Sequence, residues 1–213
     1  VNQNQARASA SQPYHHGDLR RALIAAAMEL LTKEQNFNFS LREVAMRAGV
    51  SHNAPYNHFA DKNDLLAAVA ATGFEALRER MLAATAGIDN PETALIRSAV
   101  VYVNFGVENP SHYRLMFGSV LSTIKEDPKS SLAAAAASAR GVLEEIVRRG
   151  VQAGVLDASP RSRKQQVLVL AAWSAVHGLT MLVIDGLATG AGPVISDYAE
   201  KVARALCKGL VRR

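Results

Sequence analysis

Cysteine is all but missing from this 213-residue sequence, where Cys207 stands alone. A single thiol excludes an internal disulfide framework and any multi-cysteine zinc site, and Cys207 reads as a small buried apolar residue. No stretch alternates apolar and polar residues over a strand's length, so no sheet is expected. The common catalytic signatures are absent too: there is no Gly-x-Ser-x-Gly, no P-loop, no His-Glu-x-x-His and no carboxylate pair spaced for acid–base work. Adjacent His15 and His16 lack the further ligands a zinc sphere needs. The expectation is therefore no catalytic residue, no metal and no cofactor. Gly186 to Gly192 is glycine-rich, but it ends a helix instead of following a strand and reads as a loop. The first 21 residues are polar and lack the apolar core of a secretory leader, so a cytoplasmic protein is expected.

With 49% hydrophobic residues, a chain this long can hide roughly 70% of its unfolded surface and needs no covalent staples. Its net charge is +5, which favours an anionic partner. The charge is spread out, however. Residues 1–65 carry seven Lys/Arg against six Asp/Glu, and no basic tail of the type that grips nucleic acid indiscriminately is present. If DNA is the partner, a shaped surface must recognise it.

Helical periodicity governs the rest. Residues 1–16 are polar and aperiodic, an arm that either reaches a minor groove or stays solvated. From Asp18, the residues Leu19, Leu23, Ala26, Ala27, Leu30 and Leu31 share one face, until Gln35–Asn38 breaks the pattern. Ser40 then looks like an N-cap with Glu43 as its capping-box partner. Leu41, Val44, Ala45 and Ala48 form a short stripe that Gly49 ends. Ser51 reads as a second cap, opening a very short helix to about His58, with Pro55 tolerated in its first turn. Asp61 caps a long helix through Leu65, Leu66, Val69, Phe74, Leu77 and Leu82. Pro91 opens the next, with Leu95, Ala99, Tyr102 and Phe105 inward, followed by an aromatic segment, His112–Phe117. A helix from Pro128 to Gly150 turns Leu132, Ala136, Ala139, Val142, Leu143, Ile146 and Val147 inward. Its alanine-rich run implies close packing, and Glu144–Arg148 and Glu145–Arg149 are expected as i,i+4 pairs. Val167–Leu187 is nearly all apolar, and Val194, Ile195, Tyr198, Val202, Leu206 and Leu210 line a last amphipathic helix. The fold expected is all-α, with about nine helices in all.

Helix, glycine turn and short helix within twenty residues is the spacing of a helix-turn-helix, although any capped three-helix bundle shares it. In such a unit the second helix offers its side chains to the major groove. His52, Asn53, Tyr56, Asn57 and His58 are donor-rich without Lys or Arg, suiting hydrogen bonds to bases and phosphates. Lys62 can place an ammonium on a phosphate beside a helix N-terminus.

The run Phe39-Ser40-Leu41-Arg42-Glu43-Val44-Ala45, then Gly49-Val50-Ser51, Tyr56-Asn57-His58-Phe59, Asp61-Lys62 and Leu65-Leu66 resembles the N-terminal domain of TetR/AcrR-type repressors. The resemblance implies that Ser40, Tyr56, His58 and Lys62 contact phosphates, that His52, Asn53 and Ala54 lie nearest the bases, and that Phe59 is core. With Ser51 and Asn57, these make the candidate DNA-binding set. Ala54-Pro55 departs from the family's usual pattern and leaves open which groups read bases. The domains implied are the arm 1–16, a helix-turn-helix domain 17–66 and an effector-binding and dimerisation domain 67–213.

Residues 167–184 carry no formal charge over 18 positions, long enough for a membrane span. Ser174, His177 and Thr180 interrupt them and no aromatic belt flanks them, so a helix buried on all sides, in a core or between subunits, is expected instead. Trp173, His177 and Gly178 within it resemble the signature of a Trp-His-Gly C-terminal domain found in a subgroup of these repressors. Gly178 would let a helix or ligand approach closely. Tyr102, Phe105, His112, Tyr113, Met116, Phe117, Trp173, His177 and Met181 are candidates for lining an effector pocket, with core packing as the alternative for each. The resemblance further implies a homodimer through helices 163–187 and 194–211, a palindromic double-stranded operator, and a small-molecule effector that releases the repressor. The competing reading is a helical adaptor that binds protein and not DNA.

Overall fold

The computed structural model describes residues 16–121, 130–156, 163–188 and 195–210, all helical or connecting, with no strand among them. Among the described residues eight α-helices follow in order: α1 His16–Glu34, α2 Leu41–Arg47, α3 Lys62–Thr85, α4 Pro91–Glu108, α5 Pro110–Phe117, α6 Ser131–Gln152, α7 Arg163–Ile184 and α8 Ile195–Leu210. Short 3₁₀ turns lie at Ala54–Asn57 and Ser119–Leu121. The expected arm, the start of the expected helix at Pro128, most of the Gly186–Gly192 loop and Val194 lie outside the described residues.

Local chemistry sets the boundaries. At the end of α1, Gln35 takes a φ of +54°, and the Asn36 side chain accepts the Asn38 amide at 2.7 Å, an Asx turn that stops the helix. Asp61, Asn90 and Ser130 cap α3, α4 and α6 by accepting from the third amide onward, and Pro91 and Pro110 open their helices where the missing N–H has no partner to lose.

The inward face of α1 is as expected, with Leu23, Ala27 and Leu31 fully buried against Phe39, Phe59 and Leu65. Helix α3 runs through the centre, packing on α1, α4, α5 and α6, while α4 seats α7 and α8. One apolar core joins all eight helices, and a smaller cluster, Val147, Val151, Leu156, Leu168 and Val169, joins α6 to α7. Cys207 is fully buried in α8, where burial pushes its thiol up to about 11.

Several expectations need correction. Met81, not Leu82, is buried at the end of α3, and Leu82 is exposed. On α6, Arg148 pairs with Glu145 one turn back at 2.5 Å, and Glu144 pairs with Arg140. Arg149 instead donates to the carbonyls of Ile88 and Asp89, because the 86–90 connection leaves those oxygens without helical partners. The helix α7 ends at Ile184, short of the expected Leu187, and only 28% of its long apolar stretch, Gln165–Ile184, is buried within the subunit, so of the two expected settings it is not a helix enclosed in the subunit's own core. Its inner side packs on α4, α6 and α8, while Val167, Leu170 and Leu182 point outward.

Candidate nucleic-acid interface and effector cavity

The segment 39–62 builds a helix–turn–3₁₀ unit. At its start the Ser40 amide donates to Glu43 Oε2 at 2.7 Å, and the Glu43 amide donates back to Ser40 Oγ at 3.3 Å, the reciprocal box expected from the spacing. These Ser40 hydrogen bonds hold the Glu43 carboxyl below its ordinary range. Gly49 takes φ +68°, a left-handed conformation costly for any residue with a Cβ. There the Val50 amide reaches back to the Ala45 carbonyl at 3.0 Å.

The very short helix expected from Ser51 to His58 is a 3₁₀ turn over Ala54–Asn57, and its N-cap position is Asn53, not Ser51, with no side-chain cap hydrogen bond. Its bonds run one residue tighter: Ala54 N–H to the Ser51 carbonyl (2.9 Å), Tyr56 to Asn53 (3.2 Å) and His58 to Pro55 (3.0 Å). Pro55 lies in the first positions of the turn and supplies no N–H to a longer ladder.

The turn sorts the candidate residues. Ser40, Ser51, His52, Asn53, Asn57 and Tyr56 are exposed, and His58 is half-buried. Ala54 is a correction: with Pro55 it faces inward and is only 9% exposed, so its methyl packs the unit and is poorly placed to meet a base. Phe59 is core, as expected, with the Arg20 guanidinium 5.2 Å from its ring centroid. Lys62 is half-buried; its ammonium donates to the Phe37 carbonyl and lies 5.3 Å from the Phe39 ring centroid. It ties the connection after α1 to the start of α3, and two of its three N–H donors remain for another acceptor.

A cavity of about 490 Å³ opens between α3, α4, α5, α6, α7 and α8. Of the nine expected lining residues, Tyr102, Met116, Phe117 and Trp173 reach it. Phe105, His112, Tyr113, His177 and Met181 do not, because each packs behind the wall. Phe105 is buried beneath the Arg80 guanidinium. His112 donates Nε2–H to the Val69 carbonyl at 2.7 Å, and burial lowers its pKa. Met181 packs against the core. Most of the lining was not foreseen: Phe74, Leu77 and Met81 of α3, and small residues of α6 to α8 including Ala133, Ala136, Ala172, Ala175 and Ala203. The alanine run of α6, expected to signal close packing, forms part of the cavity wall.

Behind the lining lies a polar relay. Trp173 Nε1–H donates to Tyr102 Oη at 3.0 Å, and Tyr113 Oη donates to the same oxygen at 2.9 Å. His177 Nδ1 stands 2.6 Å from Tyr113 Oη and 3.3 Å from Tyr102 Oη. Burial raises the Tyr102 hydroxyl to about 12 and pushes Tyr113 higher still, while it lowers His177, so both phenols keep their protons. Phe117 sits amid these rings, 4.7 Å from Tyr113 and 4.8 Å from His177. Gly178, expected at a close approach, has nothing within 4 Å of where a Cβ would stand.

Two family profiles match the chain: bacterial regulatory proteins of the tetR family over residues 23–69, and the tetracyclin repressor-like C-terminal domain over residues 95–206. An uncharacterized HTH-type transcriptional regulator of Haemophilus influenzae is 32% identical over 124 residues, which is 58% of this chain and 57% of that protein. The match thus spans little more than half of that relative's length. A solved structure of a protein of unknown function from Rhodococcus sp. RHA1 is 30% identical, with a TM-score of 0.79, covering 95% of this chain and 100% of that one. A TetR family transcription regulator from Marinobacter aquaeolei, 18% identical, shares the fold with a TM-score of 0.69, covering 92% of this chain and 97% of its own.

Proposed function

The chain belongs to the tetR family of bacterial regulatory proteins, and from that premise we propose that it is a cytoplasmic homodimeric repressor that leaves its palindromic double-stranded operator when a small molecule fills the cavity. We place it in the subgroup with a Trp-His-Gly C-terminal domain, on Trp173, His177 and Gly178. Residues 17–66 would carry DNA binding, and 67–213 effector binding and dimerisation.

The observation that carries this reading is the set of exposed polar side chains Ser51, His52, Asn53, Tyr56 and Asn57, which follow the Gly49 turn after the Ser40-capped helix. The exposed side chains of His52, Asn53, Tyr56 and Asn57 would offer donors and acceptors to base edges, with Ser40, His58 and the remaining donors of Lys62 toward phosphates. Coupling would run along α3. Its first residues close the recognition unit, and Phe74, Leu77 and Met81 of the same helix line the cavity. Twenty-four residues make this a rod of about 36 Å. A ligand that fits one seating of α3 better than the other shifts the spacing of the two recognition segments, and only that difference in affinity moves the equilibrium.

The test is operator binding. Genomic DNA captured by the purified protein supplies the operator, and fluorescence anisotropy measures its affinity for wild type, Asn53→Ala and Tyr56→Ala. Each variant should lose about 10- to 100-fold in specific affinity, as expected for a lost contact at a site of this type, while circular dichroism and dimerisation stay unchanged. An intact footprint in both folded variants overturns the contact assignment, whereas failure of the purified protein to capture any specific DNA returns it to the adaptor reading.

A further inference from the structure

Resting on the reading of the cavity as the effector site, we infer that its ligand is an apolar monocarboxylate, an alkyl or aryl-alkyl acid whose chain enters the cavity and whose carboxylate is held at the mouth by the Arg140 guanidinium.

The first ground is where the cavity opens. Phe74, Leu77, Tyr102 and Met116 line it from buried positions, whereas Ala137 and Arg140 of α6 line it and are exposed to solvent. Ala133, Ala137 and Arg140 recur at helical spacing, so one stripe of α6 forms the rim where the cavity meets water. A ligand can therefore bury its chain and keep one polar end beside Arg140.

Charge supplies the second ground. Among the described lining residues Arg140 alone carries a formal charge, and no carboxylate accompanies it. The remainder of the wall is alanine, aliphatic and aromatic, apart from Ser98, whose hydroxyl donates to the Leu95 carbonyl at 3.0 Å. An apolar chain with an anionic end matches that polarity. A cation would meet the Arg140 charge with nothing in the lining to offset it.

The third ground is that the guanidinium is not used up. Among the described residues its ion-pair partner is Glu144, with Arg140 Nε 2.9 Å from Glu144 Oε1. Both terminal nitrogens, with four N–H donors, remain for another acceptor. The existing pair is half exposed on both sides and runs Arg before Glu, the weaker order on a helix, so it competes feebly. A carboxylate delivered on an apolar chain is screened from water on the cavity side, where a charge-assisted hydrogen bond is stronger.

Four probes separate the possibilities: decanoate, phenylbutanoate, methyl decanoate and the decylammonium ion. Titration calorimetry on the full-length protein at neutral pH should show decanoate binding about tenfold tighter than its methyl ester, with decylammonium weakest of the four. Arg140→Gln should erase the advantage of decanoate over the ester and leave the ester unchanged. Glu144→Gln removes the rival acceptor and should tighten decanoate about threefold, a gain that binding through the chain alone would not produce. Both side chains are half exposed, so neither substitution disturbs the core. Ester or ammonium binding as tight as decanoate, equal decanoate affinity in wild type and Arg140→Gln, or binding of neither carboxylate overturns the ligand class. Operator affinity is measured with and without decanoate. If decanoate binds through Arg140 but leaves operator affinity unchanged, the ligand class stands and the effector reading of the cavity fails; if the carboxylates fail while the operator is bound, the failure concerns the ligand alone.

Discussion

His112 occupies a place where a positive charge is costly. It is 9% exposed, and its imidazole donates to the Val69 carbonyl within α3. Burial lowers its pKa from the ordinary 6.5, and burial lowers that of His177 as well. Above pH 6.5 both groups are neutral in the folded and the unfolded chain, so neither makes stability depend on pH. Below that value the unfolded chain takes up protons that the folded one resists. Stability should therefore be fully present above the ordinary pKa and be lost as pH falls through the depressed folded values. Urea midpoints measured from pH 7.5 down to 5 should decline, and His112→Gln, which keeps a donor for Val69 without a titrating ring, should flatten part of the decline. A wild-type profile level across that range would contradict the buried-neutral assignment.

Between elements, α4 meets α5 and α7 tightly at Gly106. A Cβ there would overlap Thr180 Cγ2 and stand 2.9 Å from the Tyr113 ring. Both neighbours are fully buried, and Thr180 is further held by its hydrogen bond to the Val176 carbonyl. Gly106→Ala should thus cost about 1–3 kcal/mol in chemical denaturation, despite the higher helix propensity of alanine. A neutral or stabilising result would mean that α4 and α7 can separate freely. The elements themselves were largely legible in the sequence. Leu23, Ala27 and Leu31 on one face, the Ser40–Glu43 box, the Asp61 cap and Gly49 are local signals, and each lies where its spacing places it. What escaped depends on distant partners. Arg149 turns to the carbonyls of the 86–90 connection because only the fold brings them near. The cavity wall is drawn from six helices, α3 to α8, at once, and alanines that fill a helix crossing look the same in sequence as alanines that border a void. The recognition segment went the other way: Pro55 was visible, but its effect, a 3₁₀ turn with Ala54 facing inward, required knowing which side the core would take.

At the scale of the whole molecule, the most apolar helix is incompletely covered. Val167 is 61% exposed, Leu170 58% and Leu182 47%, and Tyr198 of α8 adds another exposed ring. Burying a side chain of this type is worth about 1.5–3 kcal/mol, so a second copy laid on this face would gain much from it. A two-fold pairing through α7 and α8 would then set two Ser51–Asn57 stretches on one side of the assembly, to meet half-sites about one DNA turn apart. Val167→Glu combined with Leu170→Glu should yield a helical monomer in sedimentation equilibrium and weaken operator binding at least 100-fold, on the order expected when a dimeric reader loses one half-site. A double variant that remains a dimer with full affinity would rule this face out.

The buried thiol of Cys207 has a practical corollary. Fully enclosed in the last turns of α8 and protonated at neutral pH, it is shielded from alkylating reagents for as long as that helix stays seated. The pace at which a maleimide or a chromogenic disulfide reacts under native conditions therefore counts how often the C-terminal helix lifts away. Nature has left one reporter atom, and no competing cysteine would blur its clock.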